Sequence, residues 1–410
     1  MDETSVLVPS PAWHEVSEAP ARHVPDLRVL HVITGVIMGG AEMMLYKLLA
    51  RGDRRRFSPT VLSLLGSGVI GARISAMDVP VLTLGMRQER PLSPAMLRLI
   101  PLARSLRPSL IQGWMYHGNV AASACALLSG RRPPVIWNVR HSIHDMRYEN
   151  RLSRGFIRLG AALSSSTCAI IYNSRLSATQ HERLGYDSGK TVVIPNGFDC
   201  QVFRPRPEMA QRLRSEAKID AGRVVIGMIA RHHPQKDPGN LIKATALLAR
   251  RAIDVHVVIV GTDFDSGNAE VMQAINQAGV ADRVSLLGER HDIPDIVAGL
   301  DIATLPSAWG EGFPNVLGEA MACGVPCVTT DIGDSAWIVG DAGIVVPPRD
   351  PEALADGLGR LVALGCEGRR RLGAAARARV VEHFEVDDIV CRYQGLYERW
   401  RSPERLAARA

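Results

Sequence analysis

Aromatic residues are scarce, 5% of 410, and no cysteines are paired at disulfide or metal spacing. With so few stacking platforms and no zinc module, a nucleic-acid reader is not expected. The seven cysteines stand singly, apart from Cys323 and Cys327 one helical turn apart. That pattern fits apolar packing in a reducing compartment, the cytoplasm, rather than disulfides or zinc. No apolar run approaches the roughly 18–20 residues that span a membrane. Residues 1–26 have neither a basic start nor an apolar h-region, so a flexible extension is expected there and a secretory signal is not. Also missing are the G-x-x-x-x-G-K-[ST] phosphate loop, the G-x-S-x-G nucleophile elbow and any His/Cys/Asp cluster at metal spacing. Asp263-Phe264-Asp265 has D-x-D spacing but reads as a solvated turn, and no metal or cofactor is expected.

What is present is alternation. With 46% hydrophobic residues the chain can bury two domain cores. Leu27–Ile33 reads as a strand, followed by a glycine loop and the helix-like MMLYKLLAR. Further strands are expected at 60–64, 81–84, 110–114, 135–139, 169–172 and 192–194, with helices such as 93–106 and 120–128 between them. After Pro195–Pro207 the rhythm restarts, with strands at 224–229, 255–260, 284–287, 302–305, 325–329 and 343–346. Near-continuous apolar strands separated by helices imply parallel sheets covered on both faces. The fold class is therefore α/β, with two facing doubly wound, Rossmann-like domains. The expected divisions are 27–200, 201–385 and a C-terminal helix in 386–410 that crosses back to the first domain.

The formal charge of +6 is unevenly spread. Residues 1–200 carry 23 Lys and Arg against 14 Asp and Glu, whereas 201–410 carry 25 against 28. The first half is thus suited to an anionic partner. Arg87–Arg107 and Arg147–Leu163 combine basic residues with an apolar stripe, which makes peripheral contact with an anionic membrane surface an expectation. The same pattern also fits ordinary helices packed on a sheet with Arg outward.

The densest chemistry lies in DIATLPSAWGEGFPNVLGEAMACGVPCVTT, residues 301–330. A strand ends at Pro306-Ser307, the loop carries Glu311, and a helix starting near Val316 carries Glu319. A helix start with free N–H groups and a proline beside it is an anion seat, suited to a pyrophosphate. Arg231 and Lys236 follow the first strand of the second domain, where cations would converge on a diphosphate. Gly39 and Gly40, in GGAE, allow close backbone approach at the first strand–helix turn, although the G-x-G-x-x-G spacing is absent. His117 and His141 follow strands of the first domain, and His141, between Arg140 and Ser142, is the preferred cleft histidine.

In EGFPNVLGEAMACGVPCVTTDIG, the chain resembles the family 4 retaining glycosyltransferases of GT-B fold. GGAE, VIPNGFDCQVFRP, IARHHPQKD, VIVG, LGERHDIPDIVAGLDIATLPS and VPPRDPEALADGL follow in that family's order from Leu27 to Trp400. The resemblance implies that Glu311 contacts the donor sugar, Glu319 the ribose hydroxyls, and Arg231 with Lys236 the diphosphate. It implies that the backbone of Gly312, Phe313, Pro314, Asn315 and Val316 holds sugar and phosphate, and that Arg290 to Ile293, with Asp292, lies against the base. His141 would stand near the reacting centre. The implied reaction is metal-independent, retaining, front-face transfer from a nucleoside diphosphate sugar to a glycan or lipid-linked acceptor in surface-polysaccharide synthesis. Two departures stand out: His232-His233-Pro234 lengthens the loop before Lys236, and TDFD follows Gly261 where the family has a second glycine. A nucleotide-sugar 2-epimerase and a non-catalytic sugar-nucleotide-binding assembly protein are the alternatives.

Overall fold

The computed structural model describes residues 27–37, 39–86 and 98–401. The expected N-terminal extension and residues 87–97 of the first basic stretch lie outside the described residues. Seven strands form the first sheet: β1 (Leu27–Ile33), β2 (Phe57–Ser63), β3 (Val81–Thr83), β4 (Leu110–Trp114), β5 (Val135–Val139), β6 (Ala169–Tyr172) and β7 (Thr191–Val193). Their spatial order is β3-β2-β1-β4-β5-β6-β7, every pair parallel. The second sheet holds β8 (Val224–Ile229), β9 (Val255–Val260), β10 (Val284–Leu286), β11 (Ile302–Leu305), β12 (Cys327–Thr330) and β13 (Gly343–Val346). Its order is β10-β9-β8-β11-β12-β13, again parallel throughout. The central strands are apolar on both faces because helices cover both sides, and β4, β5, β9 and β11 are buried along their whole length.

Several expected boundaries are corrected, and the strand placed at 60–64 spans Phe57–Ser63. The strand placed at Val325 begins at Cys327, because Val325 N–H instead donates to Ala320 O at 3.0 Å and closes the preceding helix. The helix placed at Val120 begins at Met115, immediately after β4. Met115 has φ 61°, a left-handed conformation that a long side chain seldom adopts, so the strand-to-helix turn is tighter than WMYHGN suggests.

The last helix, Val386–Arg401, packs on the first sheet although the two segments before it belong with the second. Tyr393 stacks on Trp114 at 6.3 Å between ring centroids, and Tyr397 donates a hydrogen bond to the buried Gln112. Removing a buried ring such as Tyr393 costs about 3–5 kcal/mol. The chain thus passes between the sheets twice, and the two passages are zipped together. Phe198 N–H donates to Phe384 O at 2.8 Å, and Val386 N–H donates to Phe198 O at 3.0 Å. A Cβ on Gly197 would lie 2.7 Å from Val386 Cα, so this crossing admits no side chain.

In each sheet the strand order reverses once, between β1 and β4 and between β8 and β11. Loops leaving the carboxyl ends at such a reversal diverge and leave a crevice. The loops after β1, β4, β8 and β11 carry Gly39, Met115, Arg231 with Lys236, and Glu311. Topology therefore gathers these residues before any side chain is considered.

Candidate active site

Glu311 is the centre of the second-domain half. Its Oε1 accepts from Lys236 Nζ at 2.6 Å and from Ser307 Oγ at 2.6 Å, and the carboxylate is 8% exposed. Lys236 ends a short 3-10 turn, Pro234–Lys236, capped by His233, whose Nδ1 accepts from Gln235 N–H at 3.1 Å. Arg231 is exposed and has no hydrogen-bonded or ion-paired partner among the described residues.

The helix after the loop spans Asn315–Ala322, with Pro314 at its N-cap and no capping side chain. Its first N–H groups are therefore unclaimed by a capping side chain, which is the condition for an anion seat. Phe313 is turned away into an aromatic cluster with Phe198, Trp337 and Phe384, so at this position only backbone faces the crevice. Val316 packs partly into the same core. Gly312 lies against the other domain: a Cβ there would be 3.5 Å from Ser142 Cβ and 3.8 Å from Ser174 Cβ.

Glu319 is partly buried one turn further on. Burial raises its pKa, opposed by the charge of Lys47 from the Gly40–Arg51 helix of the first domain. Lys47 is itself pushed down by burial and donates to Gly197 O at 2.8 Å. Arg290 and Asp292 hold each other in a two-pronged pair at 2.8 Å, and Arg290 also pairs with Glu216. The hydrogen bond from Arg290 lowers the pKa of Asp292. Both side chains are thus already engaged with each other and with the neighbouring helix.

On the first-domain wall, His141 Nε2 lies 2.8 Å from Glu149 Oε1, and its carbonyl accepts from Ser177 Oγ at 2.5 Å. Tyr116 meets the imidazole edge-on at 6.1 Å. His117 packs against Phe156 at 4.1 Å and burial lowers its pKa, the behaviour of a packing residue. Gly40 has open space above it, but the Glu42 carboxylate lies over Gly39, at 2.4 Å from where a Cβ would be. That helix start already holds an anion of its own.

Sequence reading missed the groups that tie the halves together. Arg140, partly buried and next in sequence to His141, donates to Asn196, to Tyr393 Oη at 3.1 Å, and lies over Trp114 at 5.9 Å. Asn196 Nδ2 in turn donates to Asn315 Oδ1 at 2.5 Å, at the head of the anion-seat helix. Ser307, four residues before Glu311 on the same loop, offered a local signal; Lys47 and Tyr393 offered none, being hundreds of residues from their partners.

Residues 38–202 match the model for Glycosyltransferase Family 4, and residues 223–363 match that for Glycosyl transferases group 1. The chain belongs to glycosyltransferase family 4. EpsF of Bacillus subtilis, which bears a glycosyltransferase name, is 27% identical over 333 residues, 78% of this chain and 83% of that protein. The lipopolysaccharide core biosynthesis mannosyltransferase LpsB of Rhizobium meliloti is 27% identical over 54% of this chain and 64% of its own. Among solved structures, Anabaena HepE in complex with UDP superposes with a TM-score of 0.79 at 24% identity, over 91% of this chain and all of that one. That likeness shows the fold, the GT-B architecture of this family-4 chain.

Proposed function

We propose that this family-4 chain transfers a sugar, with retention of anomeric configuration, from a nucleoside diphosphate sugar to a hydroxyl of a lipid-linked or polysaccharide acceptor. The observation that carries the reading is the uncapped start of the Asn315–Ala322 helix beside the Lys236–Glu311 pair. A diphosphate seated there gains backbone N–H donors and Lys236 as charge builds on the departing oxygen. Arg231, exposed and unpaired among the described residues, is free to join it. Glu311 then meets the sugar hydroxyls, and Glu319, deeper on the same helix, the ribose. His141, Gly40 and the partly buried Arg140 form the facing wall, where the acceptor hydroxyl approaches and gives its proton to the leaving phosphate oxygen.

This assignment puts the donor on the second domain because the first-domain helix start is filled by Glu42. HepE structures hold UDP, UDP with glucose, and UDP-glucose, which supports a nucleotide-sugar donor. LpsB, a lipopolysaccharide mannosyltransferase, supports a surface-glycan acceptor. Cations and helix dipole meet the leaving-group charge, so turnover is expected to persist in chelator. The test is release of nucleoside diphosphate from nucleotide sugars with and without candidate acceptors in EDTA. Acceptor-dependent release with an α-linked product from an α-linked donor supports the reading. Epimerised nucleotide sugar, or binding with no turnover, would replace it with one of the two alternatives.

A further inference from the structure

Beyond the substrate-facing groups, one carboxylate stands between the two domains. Asp334 follows β12 and precedes the Ser335–Val339 helix of the second domain, and it is 5% exposed. Its Oδ2 accepts from Arg175 N–H at 2.7 Å and its Oδ1 from Leu176 N–H at 3.3 Å. These are first-turn N–H groups of the Arg175–Arg183 helix in the first domain. The third, Ser177 N–H, goes to the cap Ser174 Oγ at 3.1 Å, and Ser174 also bonds the Asp334 carboxylate. One domain thus supplies the acceptor that the other domain's helix start needs.

The same segment grips the loop that carries Glu311. Asp334 N–H donates to Gly312 O at 2.8 Å. Gly333, at φ 65°, lets the chain pass so close that a Cβ would sit 2.4 Å from Glu311 O and 2.7 Å from Gly312 O. One turn on, Trp337 meets Phe313 edge-on at 5.6 Å, while its other face receives the Arg175 guanidinium at 4.0 Å from the ring centroid. Asp334 and Trp337 therefore each hold the Glu311–Phe313 loop on one side and residue 175 of the opposite domain on the other.

We infer that Asp334, together with Trp337, is a positioning pair that locks the Glu311–Phe313 loop against the first-domain wall when the cleft closes. The inference rests on the transferase reading only for its kinetic consequence; the latch itself is a matter of geometry. Separating the domains strands a buried carboxylate's two N–H partners and removes a cation–π contact, so closure and loop placement rise and fall together.

The experiment is a cross-linking rate. Cβ positions at residues 142 and 312 are 3.5 Å apart, within the range a disulfide spans. In S142C/G312C, with exposed Cys366 and Cys391 replaced by serine and the other five cysteines buried, oxidation by diamide reports closure without any substrate. Asp334→Ala is expected to slow the cross-link about tenfold or more, and Asp334→Asn, which keeps one acceptor oxygen, less. Arg175→Ala, an exposed side chain whose loss leaves the fold intact, is expected to slow it about threefold and decides the matter if Asp334→Ala does not fold. In otherwise wild-type protein, Asp334→Asn should lower kcat about tenfold while the donor KM stays within about twofold. Wild-type cross-linking rates in Asp334→Ala and Arg175→Ala would overturn the latch. A chain that closes normally through this latch but releases no nucleoside diphosphate would instead overturn the transferase reading alone.

Discussion

Lys236 Nζ lies 2.6 Å from Glu311 Oε1, and both groups are largely withdrawn from solvent, at 18% and 8% exposure. Two charges are kept together at the mouth of an anion seat, each in reserve for a ligand group of opposite character. On the proposed reading a diphosphate would draw the ammonium toward it while Glu311 keeps its bond from Ser307. Lys236→Ala and Glu311→Ala are each expected to lower turnover on the order of 100-fold, about 2.7 kcal/mol of transition-state stabilisation. Steady-state kinetics with saturating donor checks this, and near-normal rates would show that neither group faces the reacting centre.

The pair differs from Glu319 and Lys47, which are held by burial more than by each other. Burial raises the Glu319 pKa above the ordinary 4.5, and the attraction of Lys47 only partly opposes it. A carboxyl whose folded pKa is raised makes its favourable contribution at low pH and loses it as pH rises through the folded value. Above pH 4.5, where the unfolded chain ionises this carboxyl, holding it in a desolvated site costs the folded chain stability. Glu319→Gln, which mimics the neutral form, is expected to raise Tm at pH 7.5 while abolishing most activity. The Tm gain should shrink as pH falls toward 4.5 and be absent below it. Differential scanning calorimetry across that range reads the sign directly, and a Tm loss at pH 7.5 would contradict it.

How much of this was legible in the sequence follows from the range of the forces involved. Strand period and glycine punctuation are local, so β1, β4, β5, β8, β9 and β11 could be read residue by residue. β12 was misplaced because Val325-Pro326 looks like strand, yet Val325 N–H closes the preceding helix. Lys236 and Glu311 were legible because each sits in a loop at the end of a strand. Asp334 was not, since nothing in DIGDSAW reveals that its carboxylate caps a helix more than 150 residues away. The same holds for Tyr393, whose hydroxyl reaches Arg140 only because the final helix returns to the first sheet. Arg290 and Asp292 were named only as part of a segment facing the base; neither their mutual pair nor the third partner, Glu216, was legible.

His31 supplies a separate test, in stability rather than catalysis. Burial pushes its pKa down from 6.5 to about 3, with help from Arg54, and Trp114 Nε1 donates to its Nδ1 at 3.3 Å. The folded chain thus holds it neutral while the unfolded chain protonates it near pH 6.5. Stability from this residue is complete above 6.5 and is lost as pH falls, by about 1.4 kcal/mol per unit. His31→Gln is expected to be less stable than wild type at pH 7.5, with a difference that narrows steadily toward pH 4.5. Urea unfolding at several pH values measures it; a difference independent of pH would mean that His31 does not titrate on unfolding.

The Arg151–Leu163 helix packs through Ile157 and Gly160 and turns a partly apolar, basic surface outward. Leu152 and Leu159 are 40% and 44% exposed, and Tyr148, in the turn just before, is 80% exposed. Arg147, Arg151 and Arg158 are exposed around them, and the helix itself contains no acidic residue. Such a face would suit an anionic lipid surface, which remains an expectation drawn from the sequence. Glu149, at the head of this helix, is the group that holds His141, so a membrane-held acceptor would meet the cleft from this side. Full-length protein is expected to sediment with phosphatidylglycerol vesicles and not with phosphatidylcholine ones, and to be released by salt. Because each arginine contributes about 1 kcal/mol near such a surface, Arg151→Gln with Arg158→Gln should weaken binding roughly 30-fold. Both side chains are exposed, so the fold should be untouched and turnover with a soluble acceptor unchanged. Equal binding to neutral and anionic vesicles, or none to either, would remove the membrane from the account and leave the acceptor to arrive from solution.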